Sequence, residues 1–435
     1  MNIALVCGLI VGITLIALLL AGVPISVSIG ISSILAILPI MDFDVAVLTG
    51  AQRLFSSISV FTLIAIPFFI LAGNIMNKGG IAKRLINFAL LLTGRVPGAL
   101  AHTNSVANMM FGAISGSGVA SASAMGSIIG PIEESEGYDV DYSAAVNIAT
   151  APTGLLIPPS NVLITYSLVS GGASVAALFL AGYIPGILWG LACMAVAFFI
   201  AKSRGYRSSR RATAKEAVRI ILEAIPSLLL ILIVIGGIIA GVFTATEGSV
   251  VAVVYSLILS LCYRTIKLKD LYKIFKESAE TTGSIVFLIG VSGIMAWVLA
   301  FTGIPAAISK GLISISDNRI VIMLIINLIL LLVGTFMDIT PAILIFTPIF
   351  LPVVTSDLIG MTAVQFGIML VFNLCIGTIT PPVGNILFVG VRVAGTSIER
   401  VIKPLLPYYG AIAAVLLLVT FIPGVSMLLP RIFGY

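Results

Sequence analysis

The stretch GLLIPPSN, from Gly154 to Asn161, recurs as GTITPPVGN from Gly377 to Asn385, half a chain length later. Each copy places two adjacent prolines inside an apolar segment. Because a proline has no N–H to donate, each pair leaves two helical carbonyls one turn earlier without partners. Broken helices at membrane depth occur only where protein or a water-filled cavity surrounds them. Paired breaks in corresponding halves therefore predict a transporter binding site built from an internal repeat.

The composition places the chain in a membrane. Of its 435 residues, 60% are hydrophobic and only 9% are charged, which is too apolar for a soluble globular protein. The formal net charge of +6 comes mainly from two loops, so it indicates membrane orientation and not affinity for nucleic acid. The four cysteines stand singly, without the spacings of a zinc site or a disulfide framework. The sequence therefore predicts an all-α polytopic membrane protein.

Ten apolar stretches are long enough to span a bilayer, five in each half. They lie at about 3–21, 24–40, 58–77, 143–170 and 176–201, and at about 225–243, 249–263, 282–300, 362–391 and 405–429. The stretches at 143–170 and 362–391 carry the Pro-Pro motifs and are the predicted broken helices.

Basic residues set the orientation of these spans. The segment from Lys202 to Arg219 carries seven Lys or Arg side chains, which places it in the cytoplasm. Counting crossings from this segment puts Met1 and Tyr435 outside. Because each half crosses an odd number of times, residues 1–220 and 221–435 are predicted to form inverted repeats.

Each half also contains apolar segments that do not fit as plain spans. Residues at about 111–135 include the Gly/Ser-rich run GAISGSG and are predicted to form a re-entrant hairpin that enters from the cytoplasm. Its counterpart at about 334–357 is expected to enter from outside. The stretch 85–110, interrupted by GRVPG, predicts a helix along the interface. Amphipathic stretches at about 41–57 and 264–280 are expected at opposite membrane surfaces.

The hairpin tips and the helix breaks are the candidate ion sites. Such tips expose backbone oxygens and add hydroxyls, which suit a hard cation such as sodium. Either element alone is also explained by close helix packing, for which Gly and Ser are common. Their coincidence in both halves favours paired sites. The first predicted sodium site groups Ser115, Gly116, Ser117, Asn147, Thr150 and Gly154, and the second groups Gly334, Thr335, Asp338, Gly377 and Thr380.

Asp338 is the one carboxylate that the pattern places deep in the membrane. A charge there costs roughly 2.5 to 3.5 kcal/mol, so it needs a cation, a proton or a polar substrate as partner. With Ser117 and Ser160 it forms the predicted substrate-binding set. The alternative for Asp338 is a structural cap on the hairpin helix.

No catalytic residue is predicted. The single His102 cannot form a zinc-binding HExxH helix, and no GxxxxGK[ST] segment indicates ATP binding. We therefore expect sodium ions as the only metal, with no transition-metal site and no organic cofactor.

The motifs of this chain resemble those of one transporter family. They are VFTLIAIPFFILAG (60–73), SGSGVASASA (115–124) and the two Pro-Pro motifs. They are similar to the large membrane subunit of tripartite ATP-independent periplasmic (TRAP) transporters, of the DctM and SiaM type, over the whole chain. The resemblance implies a multi-pass protein of the bacterial inner membrane. It also implies an elevator mechanism, in which a transport domain of hairpins and broken helices slides against a scaffold, driven by sodium.

The resemblance further implies protein partners and a substrate class. The partners are a small four-helix membrane subunit and a periplasmic binding protein that delivers an organic acid, such as a C4-dicarboxylate or sialic acid. Because the sequence opens directly on the large-subunit segment, we expect the small subunit to be a separate polypeptide.

Two other functions remain open on the sequence alone. An ion channel can also build its filter from Gly-rich re-entrant loops. An intramembrane hydrolase would use Asp338 with a serine, although the sequence offers no convincing base or second acid. Inverted halves with hairpins entering from opposite faces favour sodium-coupled symport by alternating access.

Overall fold

A computed structural model of the protein describes residues 3–94, 96–206 and 213–435. Within these ranges every regular element is helical. A short 3₁₀ helix (Phe61–Ile64) precedes the fourth α-helix. In chain order the α-helices are α1 (Ile3–Leu20), α2 (Ile25–Ile37), α3 (Phe43–Ile58), α4 (Ala65–Lys78), α5 (Ile81–Thr93), α6 (Ala99–Ser115), α7 (Gly118–Ser135), α8 (Val140–Thr150), α9 (Thr153–Leu156), α10 (Asn161–Val169), α11 (Val175–Arg204), α12 (Ala214–Ile239), α13 (Ala245–Cys262), α14 (Leu268–Thr302), α15 (Ile304–Ile315), α16 (Arg319–Phe336), α17 (Ile339–Val354), α18 (Ala363–Thr378), α19 (Asn385–Ala394), α20 (Ile398–Phe421) and α21 (Pro423–Ile432).

The helices confirm an all-α polytopic membrane protein. In the described part of the chain, eight helical segments are long and apolar enough to cross a membrane. Seven of them coincide with predicted spans, and the eighth is α16, which the sequence analysis did not count as a span. The predicted span at 24–40 contains only the 13 residues of α2.

Both Pro-Pro motifs interrupt helices. The first lies between α9 and α10, and the second lies between α18 and α19. The peptide bonds Pro158–Pro159 and Pro381–Pro382 are both cis. The chain therefore has one interrupted helix in each half, at corresponding positions.

The hairpins extend further towards the N-terminus than the sequence indicated. α6 and α7 form the first hairpin, so its first arm begins at Ala99 and not near residue 111. The prediction of one interfacial helix over 85–110 was wrong, because Gly98 adopts a left-handed conformation (φ 75°) that separates α5 from α6. The second hairpin consists of α16 and α17, with its tip at Met337 and Asp338.

The predicted surface helix at 264–280 and the span at 282–300 are one continuous helix, α14. No proline occurs in α14, so nothing in its backbone requires an interruption. In the first half, the corresponding elements stay separate: α3 ends at Ile58, and the 3₁₀ helix stands between it and α4.

Helices from one half of the chain pack against the hairpin of the other half. α10, from the first half, packs against α17, and α19, from the second half, packs against α7. Farther out, α4 packs against α13, while α2 and α3 pack against α14. We call α2, α3, α4, α13 and α14 the outer group. The hairpins reach this group through contacts of α6 with α4 and of α17 with α14.

Part of the predicted cytoplasmic segment lies outside the described residues, including Arg207, Arg210 and Arg211. Of its other basic residues, Lys202 and Arg204 are exposed at the end of α11. Arg95 and Met1 also lie outside the described part.

Candidate functional site

A cavity of about 310 Å³ lies where the two hairpin tips meet. Its walls come from both halves of the chain. The tips contribute residues 115–120 and 338–340, and the helices that follow the Pro-Pro motifs contribute Asn161 and Asn385. The outer group closes it through Asn74 and Asn77 of α4 and Thr281 of α14. The cavity therefore lies between the hairpins and the outer group.

Four helices begin at this cavity. The first residues of α7, α10, α17 and α19 all line it. The N-terminal turn of a helix carries unpaired N–H groups and the positive end of the helix dipole. Four such ends around one cavity create a region that favours negative charge.

Among the described residues, no Lys or Arg side chain lines the cavity. The nearby Arg392 is exposed near the C-terminal end of α19 and is not among the lining residues. A bound anion would therefore be held by helix N-termini, hydroxyls, amides and any cation bound beside it.

The first hairpin tip requires glycine at its turn. Gly116 has a left-handed conformation (φ +62°), and a Cβ there would lie 2.7 Å from the Asn161 side-chain nitrogen. Ser115 and Ser117 flank it and line the cavity. The Ser117 hydroxyl accepts a hydrogen bond from the Ala120 N–H at 3.2 Å and so caps α7.

The second hairpin tip carries Asp338 at the equivalent place. Its Oδ1 accepts hydrogen bonds from the Ile339 N–H and from the Asn385 side-chain amide, both at 2.9 Å. Asp338 therefore caps α17 and also lines the cavity beside Asn385. Both roles proposed for it from the sequence, a cap and a site residue, are compatible with this position.

Each hairpin touches its own broken helix through paired glycines. A Cβ on Gly154 would lie 2.2 Å from the backbone of Gly112, and a Cβ on Gly377 would lie 2.2 Å from the backbone of Gly334. Side chains do not fit at such a distance. The predicted ion-site residues Gly154, Gly334 and Gly377 thus lie where two backbones meet.

Asn147 and Thr150 join a buried amide network below the first tip. The Asn108 side-chain nitrogen lies 3.0 Å from Asn147 Oδ1 and 2.9 Å from Thr150 Oγ1, and Ser121 donates to Asn108 Oδ1 at 2.7 Å. Asn147 also donates to the Ala122 carbonyl at 2.7 Å. Asn147 and Thr150 are therefore held in this network and are not among the residues that line the cavity at the hairpin tips.

The second half has a related network. Asn373 donates to Asn327 Oδ1 at 2.7 Å, and Asn327 donates to Thr420 Oγ1 at 3.2 Å. The remaining predicted residues, Thr335 and Thr380, donate their hydroxyls to the carbonyls one turn earlier, at 2.7 Å in each case. The Thr335 carbonyl also accepts from the Val383 N–H at 3.2 Å, which ties the tip to the Pro-Pro motif.

Ser160 is not brought to the cavity. It is fully buried, its hydroxyl donates to the Leu155 carbonyl, and it caps α10 through the Leu163 N–H at 3.4 Å. The next residue, Asn161, lines the cavity instead, and so does Asn385. Neither asparagine was among the site residues predicted from the sequence. The signal that could have identified them is that each asparagine is the last residue of its Pro-Pro motif.

A protein-family model described as the DctM component of the tripartite ATP-independent periplasmic transporter matches residues 12–425. The chain belongs to this family. The resemblance seen in the motifs is thereby confirmed. Family members of this kind are transporters and not enzymes, so the intramembrane hydrolase is ruled out. The TRAP large permease is a multi-pass protein of the bacterial inner membrane, as the sequence predicted.

Two relatives match this TRAP permease over nearly their full length. The uncharacterized protein YgiK of Salmonella typhimurium is 53% identical, covering 96% of this chain and 95% of its own. The sialic acid TRAP transporter large permease SiaM of Vibrio cholerae is 37% identical, covering 96% of this chain and 97% of its own.

A solved structure shares the fold of the TRAP permease. The YdaH transporter of Alcanivorax borkumensis superposes with a TM-score of 0.63, covering 91% of this chain and 90% of that one. The sequence identity is 13%, so the similarity concerns the fold alone.

Proposed function

We propose that this TRAP permease is a sodium-coupled symporter for a carboxylate-bearing organic solute, and that the cavity between the hairpin tips holds the carboxylate. The observation that carries the proposal is the convergence of four helix N-termini on a cavity whose described lining residues include no Lys or Arg. Exposed N–H groups and dipole ends suit a carboxylate. Sialic acid, named for the Vibrio cholerae relative, and C4-dicarboxylates belong to this chemical class.

Sodium is the proposed coupling ion. Ser115 and Ser117 offer hydroxyls at the first tip, and Asp338 offers a carboxylate at the second. These oxygen donors fit a hard cation. Sodium near Asp338 would also offset the repulsion between this carboxylate and that of the substrate. Binding of the ion and of the anion would then favour each other, which couples the binding of the two ligands.

The proposed movement is an elevator movement of the hairpins and broken helices against the outer group. The cavity lies at the boundary between these two sets of helices, which supports this assignment. The proposed partners follow the family pattern: a small four-helix membrane subunit, a periplasmic binding protein that delivers the solute, and the surrounding lipid.

Uptake should depend on sodium and on both protein partners. We expect proteoliposomes with the full chain, the small subunit and the binding protein to accumulate a radiolabelled probe, either sialic acid or succinate, only with inward-directed sodium. Each sodium ion moved down a potential of 100 mV supplies about 2.3 kcal/mol, or roughly 50-fold accumulation. The chain reconstituted alone should transport poorly.

The controls separate symport from the alternatives. Undiminished uptake in choline buffer with a proton gradient alone would refute sodium coupling. A flux that does not saturate and needs no binding protein would indicate the channel instead.

Ser117→Ala should weaken the apparent affinity for the solute by about two- to twelvefold, the effect of losing one hydrogen bond worth about 0.5 to 1.5 kcal/mol. The measurement is the concentration dependence of uptake. Because Ser117 also caps α7, the matched control is Ser174→Ala, which removes a similar cap from α11 outside the cavity.

Ser117→Thr should restore affinity because it keeps the hydroxyl. An equal loss of apparent solute affinity in Ser117→Ala and Ser174→Ala would show that Ser117 acts only as a helix cap.

A further inference from the structure

A second cavity, of about 320 Å³, lies beside the C-terminal end of α7 and contains a buried carboxylate. The carboxylate belongs to Glu133, which is 0% exposed. Neither of its oxygens has a hydrogen-bond partner among the described residues, and no ion pair of the described residues includes it. A buried, unpaired carboxylate is costly unless a cation or a proton accompanies it.

Two other buried polar groups face this cavity. The Ser143 hydroxyl lies beside the Glu133 carboxylate but has no hydrogen-bond partner of acceptable geometry. The Asn104 side-chain nitrogen is likewise buried and unpartnered, while its oxygen is bonded to Asn108. Asn147, a member of the amide network, also lines the cavity. Three polar groups without hydrogen-bond partners among the described residues therefore lie around one cavity.

The backbone around the cavity favours a positive charge. Pro131 has no N–H, so the Ser127 carbonyl lacks the donor it would receive from the residue four positions later, and both residues line the cavity. The C-terminal ends of α7 and α19, which carry the negative end of the helix dipole, meet here with the N-terminal end of α8 at Val140, which carries the positive end, so the negative ends outnumber the positive one. In the part of the chain that the structure describes, no Lys or Arg lines the cavity to neutralise Glu133.

We propose that Glu133, with the Ser143 hydroxyl and the Ser127 carbonyl, forms a sodium site separate from the hairpin-tip cavity. A carboxylate, a hydroxyl and a carbonyl are oxygen donors typical of hard cations. Within the described residues, no group of three or more His, Cys, Asp or Glu side chains could hold a transition metal. Exposed Glu134 borders the cavity at the surface and attracts cations to it. By the predicted topology, the cavity opens towards the cytoplasm.

The test is equilibrium binding of radioactive sodium to the purified full chain, at constant ionic strength maintained with choline. We expect Glu133→Gln to bind one sodium ion fewer per chain than the wild type. Glu136→Gln is the matched control, because this exposed carboxylate lies one turn away and does not line the cavity. It should bind as many ions as the wild type.

Two further variants keep the test decisive if Glu133→Gln does not fold. Glu133→Asp should keep the ion number but weaken the affinity for the last ion, by about tenfold or more, because its carboxylate is withdrawn by one methylene. Ser143→Ala should weaken the same ion by about two- to twelvefold. Equal numbers and affinities in all variants would overturn the proposal and show that Glu133 is simply protonated.

The outcome is independent of the proposed transport function. Loss of sodium-driven uptake by variants at the hairpin tips would neither support nor contradict the sodium site at Glu133. Conversely, unchanged sodium binding by the Glu133 variants would leave the cavity at the tips as the proposed transport site.

Discussion

Asp338→Asn should reduce sodium-driven uptake at least about tenfold, while assembly and stability stay close to those of the wild type. Asparagine keeps the oxygen that accepts hydrogen bonds from the Ile339 N–H and the Asn385 amide, so the cap on α17 can persist. Only the charge is removed. A hydrogen bond or contact with a charged partner is worth about 1.5 to 3 kcal/mol, which corresponds to about 10- to 150-fold.

The Asp338→Asn substitution should weaken the apparent affinity for sodium more than the affinity for the solute. Asp338 lies at a cavity shaped for an anion, so its charge repels a substrate carboxylate unless a cation lies beside both. We therefore expect the sodium concentration for half-maximal uptake to rise strongly. The solute affinity at saturating sodium should change less. Uptake measured over a sodium series at fixed solute separates the two effects.

The matched control is Asp139→Asn. Asp139 also caps a helix, α8, by accepting the Tyr142 N–H at 2.8 Å, and it does not line the cavity. If capping were the only role of Asp338, the two variants would transport equally well. Wild-type uptake and sodium dependence in Asp338→Asn would contradict its assignment to the site.

The helix breaks and the hairpin tips were accessible from the sequence because they are local. Two prolines interrupt a helix whatever surrounds it, and a run of Gly and Ser such as GAISGSG favours a turn. The same local reasoning selected Ser117 and Asp338, and both line the cavity. The same local pattern also predicted that a surface helix at 264–280 ends before the next span. This was wrong, because a change from an amphipathic to an apolar pattern does not by itself end a helix.

The residues that were missed depend on contacts between distant parts of the chain. Asn385 follows the second motif, but its hydrogen bond to Asp338 becomes visible only when α19 and the second hairpin are placed together. The sequence around Gly112 does not indicate that this glycine contacts Gly154, which lies on a different helix. Ser160 was selected over Asn161 because periodicity near a helix break does not determine which neighbour points into the cavity.

Gly377→Ala should prevent stable folding or abolish transport, whereas Gly410→Ala should have little effect. At Gly377 the added methyl group would lie 2.2 Å from the Gly334 backbone, which cannot move aside as a flexible side chain would. Overpacking usually costs about 1 to 3 kcal/mol, and this contact belongs at or above the upper end. Gly410 has nothing within 4 Å of its Cβ position.

The other side of the same contact provides a graded test. A Cβ on Gly334 would meet its nearest atoms at 3.2 Å, so Gly334→Ala should be milder than Gly377→Ala. In the first half, Gly154→Ala (2.2 Å) should likewise be more severe than Gly112→Ala (2.8 Å). Thermal unfolding in detergent and sodium-driven uptake measure the order. If the predicted ligands Gly154, Gly334 and Gly377 act only through their carbonyls, alanine would be tolerated at these three positions. The expected order follows instead from backbone contact, because a membrane helix pair approaches this closely only where both partners lack side chains.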